Sequence, residues 1–134
     1  MKNKELLSTF IDQLKIPSEI TIALPEKDKR IDDATKILKD IGLNILCLTD
    51  INKDQNNPLS LLETLKFSKN WPKEDLKIYA EDPFIKSLSM LRNNQISGVV
   101  CGCRTPSSEI IRGSLRVIGL NKSVKNLSSM FLMI

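Results

Sequence analysis

The chain has 134 residues, 41% hydrophobic and 27% charged, and its 20 Lys and Arg against 16 Asp and Glu give a net charge of +4. That length suits one domain with a core of its own, and the composition is that of an ordinary soluble protein. The basic residues are interleaved with acidic ones and aromatics make up only 4%, so the basic stripe and stacking rings of a nucleic-acid binder are missing.

In residues 1–17, Leu6, Leu7, Phe10, Ile11 and Leu14 fall on one helical face, which predicts a helix docked on the domain. Glu5, Asp12 and Lys15 interrupt the apolar run that a signal peptide needs, and no segment has the apolar length of a membrane span. A cytoplasmic protein with no nucleic-acid and no membrane partner is expected. Glu19–Leu24 then reads as a short strand ending at Pro25. Ile31, Ala34, Ile37, Leu38 and Ile41 recur at helical spacing, with Asp32 and Asp33 in the first turn and Gly42 past the end.

Asn44–Leu48 predicts a second buried strand. Residues 50–75 are rich in Asn, Asp, Lys and Pro, with a short helix expected through Leu59, Leu62 and Leu65. Leu76–Ala80 reads as a third strand. Asp82-Pro83 then supplies a cap and a first-turn proline for a helix carrying Phe84, Ile85, Leu88 and Leu91. Ile96–Cys103 predicts a fourth strand, Pro106–Ile118 a helix closed by Gly119, and Leu127–Ile134 a fifth strand. Strands alternating with helices specify an α/β protein with a mostly parallel sheet covered on both faces. Ligands of such sheets bind at the carboxyl ends of the strands. The polar loops at residues 25–30 and 104–108 both follow strands, so they should open on one rim. The chain stops on the apolar run Phe131-Leu132-Met133-Ile134, which reads as a cut or a natural truncation of a longer protein.

The three cysteines, Cys47, Cys101 and Cys103, each lie in an apolar run. Cys101 and Cys103 would share one side of a strand, but with no histidine and no second cysteine pair nothing completes a tetrahedral site. They read as free thiols packed as small hydrophobes, and no metal is expected.

Residues 98–118 hold three of the five arginines, Arg104, Arg112 and Arg116. A strand feeding a helix whose first turn bears hydroxyls and guanidinium groups suits phosphate, because free N–H groups and the positive end of the helix dipole meet there. Arg adds planar donors matched to phosphate oxygens. The plainer account leaves Arg112 and Arg116 solvated one turn apart, and Thr105-Pro106 as a cap and first-turn proline. Glu26, Asp28 and Arg30 read as a helix start rather than as ligand contacts.

Gly98-Val99-Val100-Cys101-Gly102, then Thr105, Ser107, Ser108, Glu109 and Arg112, then Leu127-Ser128-Ser129-Met130-Phe131-Leu132-Met133, resemble the N-terminal half of the phosphate acetyltransferase and phosphate butyryltransferase family. That family carries a Gly-Met-Val-Ser-Gly strand, a Ser-Thr-Ala-Asp-x-Leu-Arg-Pro-Ala-Leu helix and a Val-Ser-Ser-x-Phe-Leu-Met strand. Leu24-Pro25-Glu26 with Asp28 and Arg30 is similar to the family's Leu-Pro-Glu-Gly-x-x-x-Arg. The resemblance implies a three-layer α/β/α lobe with a mostly parallel sheet, of the isocitrate/isopropylmalate dehydrogenase-like kind. It also implies reversible acyl transfer between coenzyme A, as substrate rather than resident cofactor, and inorganic phosphate.

By position, Arg112 matches the arginine that holds phosphate or acyl phosphate and so takes the catalytic role. Arg104, Thr105, Ser107, Ser108 and Glu109 fall on the substrate-binding loop and helix start. The departures are Arg104 and Pro106 in that loop, Gly113 in place of the helix proline, and no second lobe to carry the family's catalytic base. Residues 1–134 are thus expected to form a single α/β domain with the second lobe absent. The alternatives are a truncated, non-catalytic module binding coenzyme A, acyl phosphate or phosphate, and an interaction domain forming a homodimer through its terminal strand.

Overall fold

The computed structural model describes residues 8–10, 12–13 and 17–129. Its elements are β1 (Thr21–Ala23), α1 (Lys29–Asp40), β2 (Asn44–Leu46), α2 (Leu48–Ile51), α3 (Leu59–Glu63), α4 (Lys73–Glu81), α5 (Pro83–Arg92), β3 (Gly98–Val99) and α6 (Ser107–Val117). Three-residue 3-10 turns occupy Pro17–Glu19, Asp54–Asn56 and Lys66–Ser68.

The strands form one parallel sheet in the order β2-β1-β3. Ala23 lies opposite Leu46 on one side and Val99 on the other. All three therefore project to the same face, where they pack with Ile51, Met90, Leu91 and Ile96 of the α2–α5 layer. Side chains alternate across a strand, so Ile22 and Leu24 face the other way. There they meet Ile31, Ala34 and Leu38 of α1 around a cavity of about 380 Å³. The sheet thus lies between α1 and the remaining helices, a three-layer α/β/α arrangement. The main core lies within the thicker helical layer, where Leu62, Leu65, Leu76, Ala80, Phe84, Ile85, Leu88 and Val117 are buried together.

Local signals account for the helices. Asp28 caps α1 by accepting the Arg30 N–H at 3.0 Å, and Gly42 at φ 99° follows its end. Asp82 caps α5 through the Phe84 N–H at 2.8 Å with Pro83 in the first turn, the pairing expected of a helix start. Helix α5 is buried from Phe84 to Met90. Its Lys86 is 4% exposed and reaches Glu81 Oε2 at 3.0 Å, the partner that a buried ammonium requires.

Several expected strands change, and Asn44–Leu48 keeps only Asn44–Leu46, since Leu48 opens α2. Leu76–Ala80 belongs to helix α4, not to a strand. In a strand Leu76, Ile78 and Ala80 would share one face. Instead Leu76 and Ala80 are buried one turn apart and Ile78 is 73% exposed, which is the helical period. Pro72 and the acidic pair Glu74 and Asp75 supply the start. Ile96–Cys103 contracts to Gly98–Val99, because the backbone turns at Gly102 with φ 114°. Of the expected fifth strand, residues 127–129 are not in a strand and residues 130–134 lie outside the described residues. Most of the opening helix lies outside them too. Among the described residues, no helix is long and apolar enough to cross a membrane.

Candidate functional site

Because β1 and β3 run parallel and adjacent, the loops that leave them emerge on the same rim, as the sequence requires. Gly102 at φ 114° lets the second loop curl so that successive N–H groups converge. Such a curl is a ready-made anion cradle. Its occupant is the carboxylate of Glu26. Oε2 accepts from Gly102 at 3.0 Å and Cys103 at 2.9 Å, and Oε1 from Arg104 at 2.9 Å and Thr105 at 2.6 Å. Burial pushes the Glu26 carboxyl up, but the amides of Thr105, Arg104 and Cys103, with the Thr105 hydroxyl, outweigh it and bring the pKa down to about 2.

Two residues on, Asp28 ties both loops to arginine. It takes Arg30 Nε on Oδ1 at 2.9 Å, and Arg30 Nη2 and Arg104 Nε on Oδ2 at 3.2 and 3.0 Å. The side-chain and backbone bonds from Arg30, helped by the charge of Arg104, hold its carboxyl well below the usual carboxylate range. The side chain of Asp28 is 8% exposed, whereas those of Arg30 and Arg104 are 73% and 69% exposed. One sheltered carboxylate thus orients two guanidinium groups whose outer N–H groups face solvent.

Helix α6 follows this loop. Glu109 and Ile110 turn their amides back to the Pro106 carbonyl, and Pro106 offers no side-chain cap. The Ser107 and Ser108 amides, orphaned as in any first turn, find no acceptor among the described residues. Ser107, Ser108, Glu109 and Arg112 are all exposed. The Arg112 guanidinium makes no hydrogen bond or ion pair among the described residues. Arg116, one turn on, is half-buried and lies against aromatic rings. Its Cζ lies 5.1 Å from the Trp71 ring centroid and 5.8 Å from those of Phe67 and Tyr79. Those three rings meet edge to face.

The site residues named from the sequence therefore divide into two groups. Arg104 and Thr105 are bound into the Glu26–Asp28 network, while Ser107, Ser108, Glu109 and Arg112 form the open start of α6. The backbone amides of 102–105 already hold a carboxylate. Sequence reading assigned Glu26 to a plain helix start and missed its role. The available signal was an acid directly after a buried strand, paired with a Gly-containing turn after another.

Cys101, half-buried, has its thiol pushed up to about 11, by burial first and by the Glu26 charge second, so it is a poor nucleophile. Among the described residues, no three His, Cys, Asp or Glu side chains are placed to hold a metal.

The family model described as phosphate acetyl/butaryl transferase matches residues 49–134. The chain belongs to this family. The match takes in α2 to α6, β3 and the loop through Thr105, and so includes Arg112, while Glu26 and Asp28 lie upstream of it. No curated protein matches the chain.

Proposed function

We propose that this phosphate acetyl/butaryl transferase family member transfers an acyl group between coenzyme A and inorganic phosphate, with phosphate or acyl phosphate held at residues 104–112. The observation that carries this reading is the exposed start of α6. Two hydroxyls and two orphan amides stand at the positive end of an 11-residue helix, and Arg112, in its second turn, has no hydrogen bond or ion pair among the described residues. The thiolate of coenzyme A attacks the acyl carbonyl carbon, the bond from that carbon to the phosphate oxygen breaks, and phosphate leaves with its charge met by Arg112. In reverse, a phosphate oxygen attacks the thioester carbonyl and the thiolate departs.

Deprotonating the thiol needs a base of suitable pKa. Glu26 and Asp28 are both held as weakly basic carboxylates, so neither rim acid serves, and that proton is taken by a group outside this cluster. A spectrophotometric assay of thioester formation from acetyl phosphate or butyryl phosphate tests the reading. Turnover in the wild-type chain that falls by roughly 100-fold or more in Arg112→Ala supports it. No turnover at any concentration overturns it.

A further inference from the structure

We propose that Glu26 is a positioning residue for the anion site: its carboxylate closes the 102–105 amide cradle to ligands and fixes the first turn of α6 so that an anion must bind on Ser107, Ser108 and Arg112. The inference rests on the acyl-phosphate reading above.

The loop before α6 is short. Only Cys103 to Pro106 separate Gly102 from the start of α6, so fixing four consecutive amides fixes where the helix begins relative to β3. Glu26 is well placed to do this. It is 9% exposed, it is anchored at the end of β1, and each of its oxygens accepts two of the four N–H groups. Without it the same curl would be an empty nest of four donors, the kind of concavity that binds phosphate by itself. A phosphate drawn there would sit in the loop, away from the α6 first turn. The internal carboxylate therefore both holds and excludes.

Electrostatics makes the idea testable, because charge and position predict opposite signs. Three guanidiniums (Arg30, Arg104 and Arg112) and three carboxylates (Glu26, Asp28 and Glu109) lie on these two loops and the start of α6, with Lys27 and Lys29 beside them. Removing the Glu26 charge leaves the rim more positive, and Coulomb attraction alone then tightens anion binding. If Glu26 acts by position, its removal weakens binding despite the added positive charge.

Two variants separate these effects. Glu26→Gln removes the charge and half of the acceptor capacity. Gly102→Ala leaves every charge in place but puts a Cβ on a residue at φ 114°, a conformation that L side chains rarely adopt. Each variant is titrated calorimetrically with inorganic phosphate and with acetyl phosphate. Amide exchange and chemical shifts at 102–112 are followed in parallel. The expected result is faster exchange at 102–105 and, in both variants, roughly tenfold or greater weakening of phosphate binding as read from the shifts at 107–112. In the wild type, phosphate-induced shifts should centre on 107–112.

Unchanged or tighter phosphate binding in Glu26→Gln, with exchange accelerated and the phosphate-induced shifts still centred on 107–112, overturns the proposal. Phosphate-induced shifts centred on 102–105 in the wild type overturn it too. If Glu26→Gln does not fold, Gly102→Ala decides the matter alone. A wild-type chain that binds no phosphate while 102–105 stay protected removes the acyl-phosphate reading and the positioning role together, and leaves Glu26 as a clip of the fold.

Discussion

The two ends of α6 are built on opposite plans. Its first turn, Ser107 to Ile110, is set by a carboxylate reaching in from another loop, and its polar groups remain open. Its last turn is packed down on one face, with Leu115 left 42% exposed. Gly113 and Val117 are buried, Arg116 is surrounded by Phe67, Trp71 and Tyr79, and Arg92 Nη1 donates to the Val117 and Ile118 carbonyls at 2.8 and 3.2 Å. One arginine type thus serves three purposes within 25 residues: Arg92 as a helix cap, Arg116 as a packed cation, and Arg112 as one with no hydrogen bond or ion pair among the described residues. A helix that offers an anion site at its N-terminus loses its precision if the other end drifts, so the rigid end supports the open one.

The largest effect should come from the open end's anchor. Glu26→Ala leaves four amides without their acceptor and is expected to cost about 3 kcal/mol, measured by urea denaturation. The same anchor sets an acid limit. Because the folded pKa of Glu26, about 2, lies below its ordinary value of 4.5, the stability it adds is fully present above about pH 4.5 and is lost as the pH falls toward 2. Equilibrium unfolding from pH 7 to 2 should show this loss, and Glu26→Gln should flatten that part of the curve. An equally steep curve in the variant would assign the acid loss to other carboxylates.

Gly113 comes next. A Cβ there would lie 2.7 Å from Phe84 Cε1 and 3.3 Å from Ile85 Cδ1, so α5 and α6 approach closely because position 113 has no side chain. Gly to Ala in a helix interior ordinarily gains about 1 kcal/mol, whereas forcing apart a packed contact costs about 1–3 kcal/mol. The clash should win, and thermal unfolding of Gly113→Ala should show a net loss. A gain would mean that the helices slide freely and that the closed end is softer than described.

Arg92→Ala removes the charge-assisted cap on the last carbonyls and should cost about 1 kcal/mol, read by denaturant titration. A cost near zero would show that solvent replaces it. The smallest effect belongs to Arg112→Ala. Exposed, and without a hydrogen bond or ion pair among the described residues, it should shift stability by no more than about 0.5 kcal/mol while removing turnover and phosphate binding. A large stability loss in this variant would place Arg112 among the structural arginines and erase the contrast between the two ends.

Much of the architecture was legible because it depends on local period and punctuation. Asp28 before α1 and Asp82-Pro83 before α5 announced their helices. The runs at Glu19–Leu24 and Asn44–Leu48 read as short strands between helices, and the structure keeps Thr21–Ala23 and Asn44–Leu46 of them. Leu76–Ala80 misled because five residues of mixed polarity fit both periods, and burial of Leu76 and Ala80 against α5 and α6 decided between them. Of the site, Arg104, Thr105, Ser107, Ser108, Glu109 and Arg112 could be named because they are consecutive or nearly so along one loop and one helix. Glu26 could not be placed there, since its partners lie 76 to 79 residues away.

The amino-acid order by itself determined the α/β class, the parallel strands, the shared rim and the family, because these follow from spacing along the chain. Only the tertiary structure decided which anion fills the cradle and which arginine packs against the aromatic rings. Both depend on groups far apart in sequence competing for the same donors, and that competition is settled by distance and burial after the sheet has brought the two loops together.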